Sequence, residues 1–237
     1  MITKNITDIS IEYPERIKIF GSEIDFDDSY LFESYYRSFS DEKFIKIQKK
    51  NLQDLISVFN NTKQLKTKKK RLVDIVSHSS IESYRFIENL ALTCDKKMQS
   101  FVNLSKIKSQ AIIEIDFYDA ESRPIYICSG LGGEKNKLKY FISFIYKEQL
   151  QKNEFAFLIE EINRFISNTL NGSISQTGFK NNKLFFYTLI PVHYDIFSSI
   201  KKLKKIISEI NKNKIIDIFI CNYKPEIEIF LQHKNGK

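Results

Sequence analysis

The stretch Leu138 to Tyr146 constrains the fold of this chain more than any other. Successive side chains on a strand point to opposite faces of a sheet. Here both parities are apolar, with Leu138, Tyr140, Ile142 and Phe144 on one and Phe141 and Ile145 on the other. A strand of that kind belongs in a sheet covered on both sides. Toward the C-terminus the apolar pattern alternates between helical and strand periods. Glu148 to Leu170 has helical spacing through Leu150, Phe157, Leu158, Ile162 and Ile166, and Asn171-Gly172 supplies a stop. Ile174 to Phe179 and Lys183 to Pro191 predict two strands joined by Lys180, Asn181 and Asn182. Asp195 to Asn211 predicts a helix with Ile196, Ile200, Leu203, Ile207 and Ile210 inward, and Ile215 to Cys221 a last strand. Ahead of them, Ile125 to Cys128 predicts the first strand of a hairpin that turns through a glycine-rich loop into Leu138. The order is ββαββαβ, an α+β fold with a ferredoxin-like antiparallel core plus an extra strand.

Between Ser40 and Phe117 the apolar residues recur at helical spacing instead. Ser40 with Asp41 and Glu42 caps a helix that runs through Phe44, Ile47, Leu52, Leu55 and Phe59. Three more are expected, from Lys68 to His78, after Ser79-Ser80, and across Met98 to Ile112. The expected division is an acidic aromatic N-terminal arm over 1–39, a helical segment over 40–120, and an α+β segment over 121–237 that forms one cooperative unit with the helical one. The helical segment is the expected cover for the second sheet face.

The 237 residues carry a formal charge of +8, unevenly spread. The first 46 residues hold 10 acidic and 6 basic side chains, net −4, which leaves +12 on the remainder. Lys outnumbers Arg 31 to 6 and Ile reaches 37, the signature of A/T-rich codons, so the total alone is a weak pointer to a polyanion. Apolar runs fall far short of the ~20 residues that span a bilayer. Met1 to Ser10 lacks a basic segment followed by an apolar one. A cytoplasmic protein with no membrane partner is expected. Cys94, Cys128 and Cys221 are odd in number and far apart, as reduced thiols are, and His78, His193 and His233 stand apart from each other. No metal and no cofactor are expected.

The densest local signal is Ser129 to Lys139. Gly130, Gly132 and Gly133 lie within four residues, and Lys135, Lys137 and Lys139 follow at alternate positions. Glycines let backbone N–H groups turn toward an anion, and lysines add charge, so the chemistry suits a phosphate. The spacing is neither a Walker loop nor a dinucleotide fingerprint. Gly130-Leu131-Gly132-Gly133 satisfies a GxxG pattern, but the flanks predict strands where a KH domain has helices. The aromatics of Lys137 to Phe144 suit base stacking, although both glycines of the RRM strand motif are missing. Two further basic sets stand out, Lys68, Lys69, Lys70 and Arg71 in the densest run, and Lys201, Lys204 and Lys205 on the last helix.

No nucleophile, base or paired carboxylate stands at a catalytic spacing. The expected function is a non-enzymatic protein that binds RNA, or joins a ribonucleoprotein, through the glycine loop and the lysines. The alternatives are an adaptor that docks a protein partner through the helical segment or the acidic arm, and a small enzyme or regulator that holds a phosphorylated ligand at the glycine loop.

Overall fold

Polar caps in the sequence fix where several of the helices begin in the computed structural model, which describes residues 11–115, 117–119, 122–211, 214–223 and 225. The fold is mixed α+β and divides into two compact units, a helical one over Ser22–Tyr126 and one built around a sheet from Ile127 onward with the residues before Ser22. In the helical unit, α1 (Phe26–Arg37) starts where the Asp25 carboxylate accepts the Asp27 and Asp28 N–H groups. Ser40 caps α2 (Asp41–Gln48) and Asn51 caps α3 (Leu52–Asn61). The single helix expected from Phe44 to Phe59 is therefore two. The Asn51 carboxamide, accepting the Gln53 N–H at 2.8 Å, restarts the chain after a break at Lys49 and Lys50. Next come α4 (Leu65–Ser77), α5 (Ile81–Thr93), whose Ser80 and Ser83 form a reciprocal capping box, and the long α6 (Lys96–Ile115).

α4 is the axis of this unit. Leu72, Val73, Ile75 and Val76 are fully buried, and α4 packs on α1, α2, α3, α5 and α6. Two of the N-terminal aromatics that sequence placed in an arm, Phe32 and Tyr36, pack here from α1. Phe32 is buried with its ring 5.4 Å from that of Phe101 on α6, and Tyr36 stacks beside it at 6.1 Å. A buried ion pair joins α1 to α4, between the Asp28 carboxylate and the Lys69 ammonium, both side chains almost wholly out of solvent.

The sheet unit opens with β1 (Ile17–Ile19), and the chain returns to it through β2 (Ile125–Ile127). Then come β3 (Gly133–Glu134), β4 (Lys137–Tyr146), α7 (Lys152–Leu170), β5 (Ser173–Lys180), β6 (Lys183–Pro191), α8 (Ile196–Ile210) and β7 (Ile215–Cys221). The expected hairpin partner of β4 is corrected here. Ile125 to Ile127 lies outside the five-stranded sheet, and β4 folds back on β3 through a two-residue turn at Lys135 and Asn136. The two residues of β3 were too few to show as a strand in the sequence. The spatial order is β5, β6, β4, β7, every neighbouring pair antiparallel, with β3 on the β7 side of β4.

Both faces of β4 carry apolar side chains. Ile142, Phe144 and Tyr146 point with Leu184, Phe186 and Ile190 into a core closed by Leu158, Ile162 and Ile166 of α7 and by Ile200, Leu203 and Ile207 of α8. The opposite parity carries Phe141 and Ser143 beside Phe185, Tyr187 and Phe219. α7 ends on Asn171 in the left-handed region (φ 48°), where Gly172 donates back to the Ile166 carbonyl at 2.9 Å.

Removing one partner of the Asp28–Lys69 pair strands a buried charge. Asp28→Ala is expected to destabilise the chain by about 3–5 kcal/mol, whereas replacing both residues by apolar ones of similar volume costs far less. Urea denaturation of the three proteins, followed by far-UV circular dichroism, checks this.

Candidate nucleic-acid interface

The glycine loop is built for close packing. Gly130 lies against the chain leaving β7, so that a Cβ there would come within 2.5 Å of the Tyr223 Cα. A Cβ on Gly133 would meet the Lys137 carbonyl oxygen at 2.4 Å, within the β3–β4 hairpin. Gly132 takes φ 70°, the one described glycine in the left-handed region. Its amide donates to the Ser129 carbonyl (3.1 Å), and the Ser129 hydroxyl donates back to the Gly132 carbonyl (2.9 Å). The Leu131 N–H donates to the Asn222 carbonyl at 2.9 Å. Two of the amides that sequence offered to a phosphate are thus spent on protein carbonyls.

What the loop delivers is the lysines. Lys135 sits at the turn with φ 56°, exposed, and Lys137 and Lys139 follow on β4. Alternation puts Lys137 and Lys139 on the same face as Phe141, the face away from α7 and α8. There Phe141 stacks with Phe185 (centroids 6.0 Å, 29° between planes) and meets Tyr187 and Phe219 edge-on at 5.1 and 6.1 Å. The Lys139 ammonium lies 5.4 Å from the Tyr187 ring centroid. Phe141 and Tyr187 are buried in this cluster, and Phe185 and Phe219 are half-buried. Phe185 is paired with Gly178, where a Cβ would fall 2.5 Å from the ring's Cζ, so the missing side chain makes room for the aromatic. At the far end of the face Lys183 is buried, and burial pulls its ammonium down from the ordinary lysine range.

Sequence reasoning singled out β4 for its aromatics but missed Phe185, Tyr187 and Phe219 as its partners. The spacing of Phe185 and Tyr187 on β6, two residues apart, was visible, but which strands flank β4 was not. The remaining lysines lie elsewhere. Lys201, Lys204 and Lys205 are on α8, which covers the opposite face, so the sheet separates them from Lys137 and Lys139. The run Lys68 to Arg71 belongs to α4 of the helical unit. Lys69 is only 9% exposed and bound to Asp28. Lys68 lies 4.9 Å from the Phe59 ring centroid, Arg71 pairs with Asp74 at 3.2 Å, and Lys70 is exposed. Lys69 is turned inward because it shares the helical stripe of Leu72, Val73 and Val76.

Among the described residues no three His, Cys, Asp or Glu side chains gather as a metal site, and no helix is long and apolar enough to cross a membrane. His233 lies outside those residues. Compared with protein-family models and with curated proteins, the sequence matches none of them.

The loop packing sets a contrast between two glycines. Gly130→Ala places a methyl against backbone that cannot swing aside and is expected to cost about 1–3 kcal/mol through overpacking. Gly132→Asn keeps φ 70° accessible and costs less than Gly132→Val, whose branched side chain resists that conformation. Chemical denaturation ranks the three variants.

Proposed function

We propose that this chain is a cytoplasmic RNA-binding or ribonucleoprotein-associated protein whose nucleic-acid surface is the lysine-bearing end of the aromatic sheet face. The supporting observation is the juxtaposition at Lys139. Its ammonium lies over Tyr187, with Lys137 on the same face, Lys135 at the adjacent turn, and the half-buried Phe185 and Phe219 rings beyond. Single-stranded nucleic acid is held by two kinds of contact, cations that follow the phosphates and rings on which bases stack. This face places both within one strand's reach.

We read the sheet as a ferredoxin-like core, with the order β5, β6, β4, β7 and the crossover helices α7 and α8 as support. In such a core the two central strands, here β4 and β6, present their outward side chains side by side. The glycine loop's part in this reading is to aim Lys135, Lys137 and Lys139 while its own Leu131 and Gly132 amides stay engaged. That engagement also weighs against a small phosphorylated ligand held by the same amides.

Binding of a fluorescein-labelled single-stranded RNA dodecamer is expected to fall steeply with salt. Each phosphate contact adds about −0.7 to the slope of log K against log salt, so three lysines account for about −2. Reversing Lys135, Lys137 and Lys139 to Glu removes that part of the slope, and Phe185→Leu weakens binding without changing it. Absence of binding at low salt, or a slope unaltered by the triple reversal, would falsify the assignment. A protein partner retained after nuclease treatment in place of RNA would favour the adaptor.

A further inference from the structure

α1 turns two aromatic rings to water. Its inward side is settled by the buried Asp28 and Phe32, with Leu31, Tyr35 and Tyr36 half-buried around them. The 3.6-residue period puts Phe26, Tyr30, Ser34 and Arg37 together on the opposite ridge, where a surface helix ordinarily carries polar residues. Phe26 is 78% and Tyr30 74% exposed, and their spacing of four residues joins the two rings into one apolar patch. The ridge carries opposite charges at its ends. Asp27 is exposed at the start, and Arg37 is exposed at the finish, where its Nε donates to the Glu33 carboxylate at 3.2 Å. Asp27 and Arg37 are about 15 Å apart along the helix axis, at ~1.5 Å per residue. Between Tyr30 and Arg37 the exposed residue is Ser34, which is small.

We propose that this ridge is a two-fold dimer contact, in which α1 of a second copy of this chain packs antiparallel on α1 of the first. The charges specify that occupant. A basic partner is opposed by Arg37, and an acidic partner by Asp27 and Glu33. The same ridge reversed end for end meets each charge with its opposite. In a two-fold pairing every contact between two positions occurs twice. An axis level with Phe32 therefore sets Asp27 of each copy against Arg37 of the other. That register also places Tyr30 opposite the other copy's Ser34, whose small side chain leaves room for a ring. Phe26 then lies beside the opposing Arg37, and aromatic faces attract a guanidinium. Two helices of this length bury less than the roughly 1,200 Å² of a standard interface, so the dimer exchanges with monomer.

Sedimentation equilibrium of the full chain tests this. The expected result is a monomer–dimer equilibrium, weakened about tenfold or more by joint Phe26→Ala and Tyr30→Ala. Asp27→Lys and Arg37→Glu, made separately, each turn two attractions into two repulsions and weaken the dimer about tenfold. Mixed in equal amounts, these two proteins form a heterodimer of near wild-type affinity, because each then presents the complement of the other. That recovery separates a contact between copies from simple loss of fold, and far-UV circular dichroism shows that every variant keeps its helices. A wild-type chain still monomeric at about 1 mM overturns the proposal and leaves the ridge to a different protein. A dimer that survives loss of both rings, or a mixture that associates no better than its components, overturns it as well.

Discussion

The sheet unit depends on β4, whose two sides both carry apolar side chains. Its helix-side residues close the core with α7 and α8, and its opposite residues found the aromatic cluster. One backbone therefore fixes two packed layers, and a slip of one residue would exchange them. Several contacts hold the register. The β3 turn sets the start of the strand, and the buried Ser143 hydroxyl donates to the Leu184 carbonyl at 3.1 Å, satisfying a polar group within the aromatic layer. At the far end, Tyr146 and Asn182 exchange backbone and side-chain bonds of 2.8 and 2.7 Å. The same alternation that buries Phe141 also aims Lys137 and Lys139, so the positions of the charges follow from the packing of the rings.

The lysine run on α4 shows how a charge signal in a sequence dissolves in a fold. Adjacent like charges repel, and their density between Lys66 and Arg71 called for an explanation. The structure supplies a local one. Helical geometry fans the side chains around the axis. Lys69 goes inward to Asp28, Lys68 and Lys69 lie near the rings of Phe59 and Phe101, and Arg71 is held by Asp74. A buried ion pair gains little over an apolar pair of the same volume, because desolvation consumes the Coulomb gain. Its effect is to fix which face of α1 meets α4. Asp28, read in the sequence as one acid of an arm, is one of the contacts that place the arm's helix.

Much of the fold was legible because the periodicities were strong. Lys183 to Pro191 and Ile215 to Cys221 are strands with the expected bounds, and Asn171 stops α7 in the left-handed conformation that an Asn-Gly pair suggests. α1 was not legible. Its apolar residues are aromatics crowded between Tyr30 and Phe39, and its cap, Asp25, was one acid among several. β3 was hidden by its length, and its pairing replaced the one expected for Ile125 to Cys128. The candidate surface was legible in part. Lys135, Lys137 and Lys139 could be placed beside β4 by alternation, but the rings from β6 and β7 arrive through long-range pairing, which no local pattern encodes.

Within the aromatic layer the rings differ in what they can do. Phe141 is fully buried and touches Phe185, Tyr187 and Phe219. A ring so enclosed offers no face to a ligand, and its contribution is to hold the others at fixed angles. Phe185 is half-buried and leans across Gly178, supported below by a backbone without a side chain and beside it by the near-parallel ring of Phe141. Stacking rewards such a ring, because little side-chain entropy remains to be lost when a second flat group is laid on it. The cations are different. Lys135 is exposed at the turn, so the charge it offers is long-ranged and salt-sensitive, whereas Lys139 is tied to Tyr187. On the proposed binding face, attraction and orientation thus fall to different residues, the first to the turn and the second to the strand pairs behind it.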